Sequence, residues 1–190
     1  LKAASLQNET VKQVQLPLTD GATIPGILHT PKQGSNFPAI MLSGGVDKTL
    51  IEHKGLVDRL IAKGYAVLTF DMPGAGLDYK HALTIGSEDA SHQAAFSYLA
   101  NNPQIDKQRI GALSSSGSGT ALVEFALNQP QLQAVVARCA LVDGPLRNAK
   151  ALKFIPSMSA DSLIARIGGD AGDKAYLAKN AAKYSLVTKG

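Results

Sequence analysis

The 190 residues predict one α/β domain built on a doubly wound, mostly parallel sheet with an antiparallel hairpin at one edge. Three observations lead there. Short apolar runs end in glycine-containing turns and restart as helical patterns, which is the repeating unit of parallel sheets. Near the start, two β-prone runs flank an Asp-Gly turn. The composition, 45% apolar with mean hydropathy close to zero, suits a single globular domain that buries a sizeable core.

Residues 11–30, VKQVQLPLTDGATIPGILHT, read as the hairpin, with its turn at Asp20 and Gly21. Residues 39–145 then read as the βα core. Residues 39–42 form a short buried strand that stops at Ser43, Gly44 and Gly45, and residues 49–63 follow with Leu56, Val57, Leu60 and Ile61 at helical spacing. Residues 65–70 are the next strand, closed by Asp71, Met72, Pro73 and Gly74. A helix starting near Ser87 would place Glu88 and Asp89 in its acidic first turn and Ala95, Tyr98 and Leu99 on its inner face. Residues 110–113 form a further strand, residues 117–127 a helix, and residues 132–142 one more strand closed by Asp143, Gly144 and Pro145. Residues 147–190 read as short helices, a lid or an edge, with no further strand.

Lys and Arg exceed Asp and Glu by 19 to 15, but the charges are scattered and aromatics are only 5%, so no nucleic-acid surface is expected. The lone cysteine, Cys139, excludes an intrachain disulfide, and its setting in AVVARCALV predicts a buried thiol. Four dispersed histidines offer no zinc spacing, so neither metal nor cofactor is expected. The sequence has no apolar run of transmembrane length and no signal-peptide pattern. A chain opening on Leu1 is expected to be processed or partial.

The stretch with the most chemical content is RIGALSSSGSGTAL, residues 109–122. A strand that turns sharply into a helix through small residues is the layout of a nucleophile elbow, which lifts one side chain above the sheet. Counting from Ile110 and Leu113 places Ser116 at the exposed position. Ser114 and Ser118 stand where such elbows usually carry glycine. A purely structural turn reads the same residues, and an anion-binding helix start is a third reading. The third is the weakest: no lysine lies between Lys107 and Lys150 for a Walker loop, and Leu122 stands where a dinucleotide fingerprint needs glycine or alanine.

If Ser116 is a nucleophile, the Gly117 N–H is the first oxyanion donor, and the loop at Gly44, Gly45 and Val46 is placed to give the second. The base is the gap. His29, His53, His81 and His92 all precede Ser116, whereas this architecture places its histidine after the serine and the acid. His92 shares a helical face with Ala95 and Leu99 and reads as a packed, hydrogen-bonded residue. Asp143, just past a parallel strand, is a candidate acid that could equally cap the next turn.

Together FPAIMLSGGVDKTL, YAVLTFDMPGAG and SHQAAFSYLANNPQIDKQRIGALSSSGSG resemble the α/β-hydrolase superfamily. The likeness is to the FrsA-type fermentation-respiration switch proteins, a family of esterases, and more distantly to dienelactone hydrolases. The resemblance implies an α/β-hydrolase fold, with Ser116 as nucleophile, Gly117 as the following oxyanion donor and Gly45 and Val46 in the oxyanion loop. It implies a cytoplasmic serine esterase acting on a small-molecule ester. Its alternative is an inactive relative that binds a phosphotransferase-system protein, the sugar-uptake component IIA-glucose. It further implies that LKAASL closes an upstream helix, and that a last strand, the acid and the histidine lie beyond Gly190.

Overall fold

The computed structural model describes residues 8–79, 81 and 84–187, so the opening LKAASL run lies outside the described residues. Six strands form one sheet in the order β1-β2-β4-β3-β5-β6. They are β1 (Glu9–Pro17), β2 (Thr23–Pro31), β3 (Phe37–Ser43), β4 (Ala66–Phe70), β5 (Ile105–Ser115) and β6 (Ala134–Arg138). β1 and β2 form the expected antiparallel hairpin, closed where the Asp20 carboxylate accepts the Ala22 N–H at 2.9 Å. β2 pairs antiparallel with β4, and β4, β3, β5 and β6 run parallel.

Side-chain alternation along the strands sorts residues between two faces. Ala66, Leu68 and Phe70 of β4, Ala39 and Met41 of β3, and Ile110 and Ala112 of β5 pack under helices α2 (Ala90–Ala100) and α3 (Ser116–Asn128), once α1 (Lys54–Ile61) is counted first. On the opposite face Val67, Leu42 and Leu113 meet α1 through Leu56, Val57, Leu60 and Ile61. The helix expected over residues 49–63 is divided: a 3₁₀ turn at Leu50–His53 precedes α1, started by a capping box in which Glu52 accepts the Thr49 N–H at 2.6 Å.

After β3 the chain steps to β4 on one side and returns to β5 on the other. Such a reversal leaves a crevice at the carboxyl ends of the two strands. The loop after β3 and the start of α3 face each other across it.

Several expectations are corrected. Glu88 and Asp89 precede α2 and are not in its first turn, which carries no acid. β6 is shorter than the 132–142 run and largely exposed, with Val135 and Val136 exposed on its two opposite faces, and Cys139 just beyond it is exposed and not buried. An apolar run signals a buried strand only when something covers both faces, and α1 does not reach β6. Residues 144–184 form short helices, α4 (Gly144–Arg147), α5 (Ala149–Leu152), α6 (Ser157–Arg166) and α7 (Lys174–Asn180), and a 3₁₀ turn at Ala181–Tyr184. They bury a cluster of their own around Leu146, Leu152, Ile164, Ile167 and Leu177. No helix among the described residues is long and apolar enough to cross a membrane.

Leu122 is fully buried where α3 meets the sheet. Leu122→Ala is expected to cost about 2–5 kcal/mol in urea denaturation, because the cavity lies beneath a helix anchored at both ends and cannot collapse.

Candidate active site

Ser115 ends β5 in extended geometry, with φ −127° and ψ 151°, and Ser116 follows at φ +52°. The left-handed region costs a residue with a Cβ roughly 1–2 kcal/mol, and it turns the chain from strand to helix within a single residue. The result places the half-buried Ser116 side chain at the carboxyl edge of the sheet. The first N–H groups of α3 have no partner within the helix, and that of Gly117 is the one after Ser116.

The pairing of β3 with β5 sets Ser43 opposite Ser114. Two residues past Ser43, Gly45 lies so close to the elbow that a methyl in place of its hydrogen would sit 2.9 Å from Ser116 Cβ and 3.4 Å from its Oγ. Only glycine fits. Val46 and Met72 close over Gly117, where an added methyl would stand 3.1 Å from Val46 Cγ1. Gly45 accepts the Lys48 N–H at 3.2 Å in a tight turn. Among the described residues the Val46 N–H has no acceptor.

Beneath the elbow lies a polar cluster that the sequence did not disclose. Ser43 Oγ shares hydrogen bonds with Ser114 Oγ (2.6 Å) and Ser118 Oγ (2.5 Å), and His92 Nε2 lies 3.1 Å from Ser114 Oγ and 3.4 Å from Ser43 Oγ. All four residues are at most 1% exposed. The serines in the usual glycine places therefore bond downward, into the protein. Burial drives the His92 pKa down to about 3, so the ring is neutral, and it packs edge-on against Phe70 and stacks on Phe125. His92 is the packed, hydrogen-bonded residue expected from its helical face.

Ser116 lines two clefts. One, of about 400 Å³, is apolar and walled by Leu141, Pro145, Phe154, Ile155 and Leu163. The other, about 670 Å³, carries Lys48, Arg59 and Arg138 with Asp47 and Glu52. His53 lines the second cleft with its Nε2 buried and unpartnered among the described residues. Burial, then the charge of Lys48, lowers the His53 pKa below the ordinary histidine value. It stands seven positions past Val46, at the end of the 3₁₀ turn that precedes α1.

The remaining histidines are engaged elsewhere, His29 with Glu9 and His81 with Asp78, and among the described residues no histidine is hydrogen-bonded to Ser116. Burial raises the Asp78 pKa to about 6. The structure brings Ser116, Gly117, Gly45 and Val46 together and does not bring Asp143 to them. That carboxylate accepts from the Ser185 hydroxyl at 2.5 Å and from Arg147 at 3.1 Å, and the Ser185 bond above all keeps its pKa low. It lines neither cleft that Ser116 lines. Asp71, whose DMPG stretch contributed to the resemblance, is buried and accepts the Leu50 N–H at 2.6 Å and the Leu77 N–H at 2.8 Å, tying the turn before α1 to the loop after β4. Among the described residues no group of three or more His, Cys, Asp or Glu converges to hold a metal ion.

Two outcomes follow from this geometry. Ser116→Gly should be up to about 1 kcal/mol more stable than Ser116→Ala in thermal denaturation, since both lack the hydroxyl and only glycine takes φ +52° without strain. For His92 the folded pKa lies below the ordinary 6.5, so its contribution is full above that value and is lost as pH falls toward 3. Relative to His92→Phe, the wild-type protein should therefore lose about 2 kcal/mol between about pH 7.5 and about pH 5.

A family model described as esterase FrsA-like matches residues 1–190. The esterase FrsA of Enterobacter sp. (strain 638) is 34% identical over 185 residues, covering 95% of this chain and 44% of the relative. That of Escherichia fergusonii is 34% identical over 194 residues, covering 100% and 46%. The chain thus spans about half the length of the curated relatives it matches. Among solved structures, AbyA5 superposes with a TM-score of 0.76 at 18% identity over 97% of this chain and 53% of its own. Brefeldin A esterase, described as a bacterial homologue of human hormone sensitive lipase, does so at 0.61 and 16% identity over 92% and 51%. These likenesses establish the α/β-hydrolase fold, and the match along the whole sequence establishes that the chain belongs to the FrsA-like family.

Proposed function

We propose that the protein is a serine hydrolase of the esterase type, with Ser116 as nucleophile. The observation that carries the reading is the left-handed Ser116 with Gly45 packed against its Cβ, a costly geometry whose benefit is a hydroxyl beside two free-standing amides. In the reaction Ser116 Oγ attacks the ester carbonyl carbon as its proton passes to a base. The carbonyl oxygen becomes an oxyanion, held by the Gly117 N–H and by the Gly45 or Val46 N–H. The tetrahedral intermediate collapses as the alcohol leaves with the proton. Water then attacks the acyl-enzyme and releases the carboxylic acid.

The base and its acid are assigned to parts of the protein that correspond to the other half of the relatives' length, because none of the four histidines here is hydrogen-bonded to Ser116. A neutral His92 beneath the elbow supports the turn and takes no proton at ordinary pH. The apolar cleft beside Ser116 suits a hydrocarbon portion of the substrate.

A fluorophosphonate probe should label the full-length protein on Ser116, and Ser116→Ala should abolish both the adduct and ester hydrolysis. No Ser116-dependent adduct would remove the hydrolase reading and leave the partner-binding alternative, a complex with IIA-glucose. Gly45→Ala should lower kcat about a hundredfold, because the new methyl must displace either the oxyanion loop or the nucleophile.

A further inference from the structure

We infer that Arg166, in the last turn of α6, is a positioning residue that holds the oxyanion loop in its working orientation; the inference rests on the reading of Ser116 as nucleophile. Its guanidinium donates one hydrogen bond to the Val46 carbonyl, 120 positions away, and a second to the Ser162 carbonyl at 2.7 Å. Its stem passes so close to Gly74 that a methyl there would lie 2.8 Å from Arg166 Cγ. Arg166 therefore threads between the loops that follow β3 and β4 and joins both to the helical segment.

The setting is a poor one for stability alone. The guanidinium is half-buried, its Nε is buried without an acceptor among the described residues, and both bonded partners are neutral carbonyls. Desolvating a cation without a bonded counter-charge is costly. Asp47 and Asp71 act on it through space and partly offset that cost.

The benefit lies in which way two peptides face. In a trans peptide the C=O and N–H point in opposite directions. The Gly45 carbonyl is turned toward the Lys48 N–H, and the Val46 carbonyl toward Arg166. Neither carbonyl then faces Ser116, where it would repel an oxyanion. The Val46 side chain is held as well, packed with Met72 and Ala75. Among the described residues, Arg166 thus supplies the one side-chain hydrogen bond to the backbone of residues 44–48.

The test uses the full-length protein, with Arg166→Met, Arg166→Lys and Arg166→Ala followed by amide hydrogen exchange and by steady-state hydrolysis of a p-nitrophenyl ester. In Arg166→Met, exchange across residues 44–48 should rise, and kcat should fall about tenfold to a hundredfold with KM changed less than about twofold. Arg166→Lys should recover part of kcat, since an ammonium still reaches a carbonyl but cannot span two. Added guanidinium should raise kcat in Arg166→Ala and not in Ser116→Ala, a rescue that loss of folding would not show. Unchanged exchange in residues 44–48 overturns the role of Arg166 even if the wild-type protein turns over esters. Raised exchange with kcat retained overturns it too. A wild-type protein without a Ser116-dependent adduct instead defeats the hydrolase reading, a result read from a different variant.

Discussion

The parallel pairing of β3 with β5 governs where every group of the candidate site lies. Because Ser43 stands opposite Ser114, the next two residues of each strand exit side by side at the same edge of the sheet. One exit becomes the Gly44–Val46 loop and the other becomes the elbow. The chain has left β3 for β4 and come back to β5 on the other side, so no crossover helix fills the gap between the two exits. The loop after β3 and the start of α3 therefore meet at Ser116. A shift of one residue in this pairing would turn every side chain of β5 to the opposite face and take Ser116 with it.

The same pairing explains the polar cluster under the elbow. Close approach of β3, β5 and α3 brings together three positions where large side chains do not fit. Glycine at all three would leave the space unfilled, and serine fills it with hydroxyls that need partners. Each hydroxyl donates once and accepts twice, and the His92 Nε2 joins them, so Ser43, Ser114 and Ser118 satisfy one another without water. The neutrality of His92 follows from where it sits, among Phe70 and Phe125, which makes protonation unfavourable. A charged ring there would place a cation in the core directly beneath the Ser116 turn.

What could be read from the sequence divides along a physical line. The hairpin, β4, α2 and the sharp bend at Ser116 were legible because local chemistry specifies them: an Asp-Gly turn, an unbroken apolar run between glycines, an inward helical face, and small residues between strand and helix. Ser116, Gly117, Gly45 and Val46 are the residues that this route singles out. Properties set by distant neighbours were not. The exposure of Cys139 and β6 depends on which helices cover which strand, and a local run of Val and Ala carries no record of that. The downward bonding of Ser114 and Ser118 depends on Ser43 and His92, 71 to 75 and 22 positions away. Likewise Arg166 meets Val46 only because the helical segment folds back over the site, and nothing near Arg166 in the sequence marks it.

Strain at Ser116 and confinement at Gly45 are two sides of one constraint. A left-handed serine persists only where its surroundings over-determine it. Here α3 is pinned by Leu122 and Phe125, Ser114 and Ser118 are bonded from below, and Gly45 blocks the space through which the turn could relax. The loop that carries Gly45 must itself be fixed, or it would yield to the elbow. Its fixed points are the Lys48 turn, the contact of Val46 with Met72 and Ala75, and the Arg166 bond. Of these, the first is local, the second joins the loop to β4's exit, and the third comes from α6. The helical segment also walls the apolar cleft through Phe154, Ile155 and Leu163. Any movement of α6 that reshapes this cleft must therefore pull on the Val46 carbonyl, so the shape of the cleft and the orientation of the Gly44–Val46 loop are mechanically joined through one guanidinium.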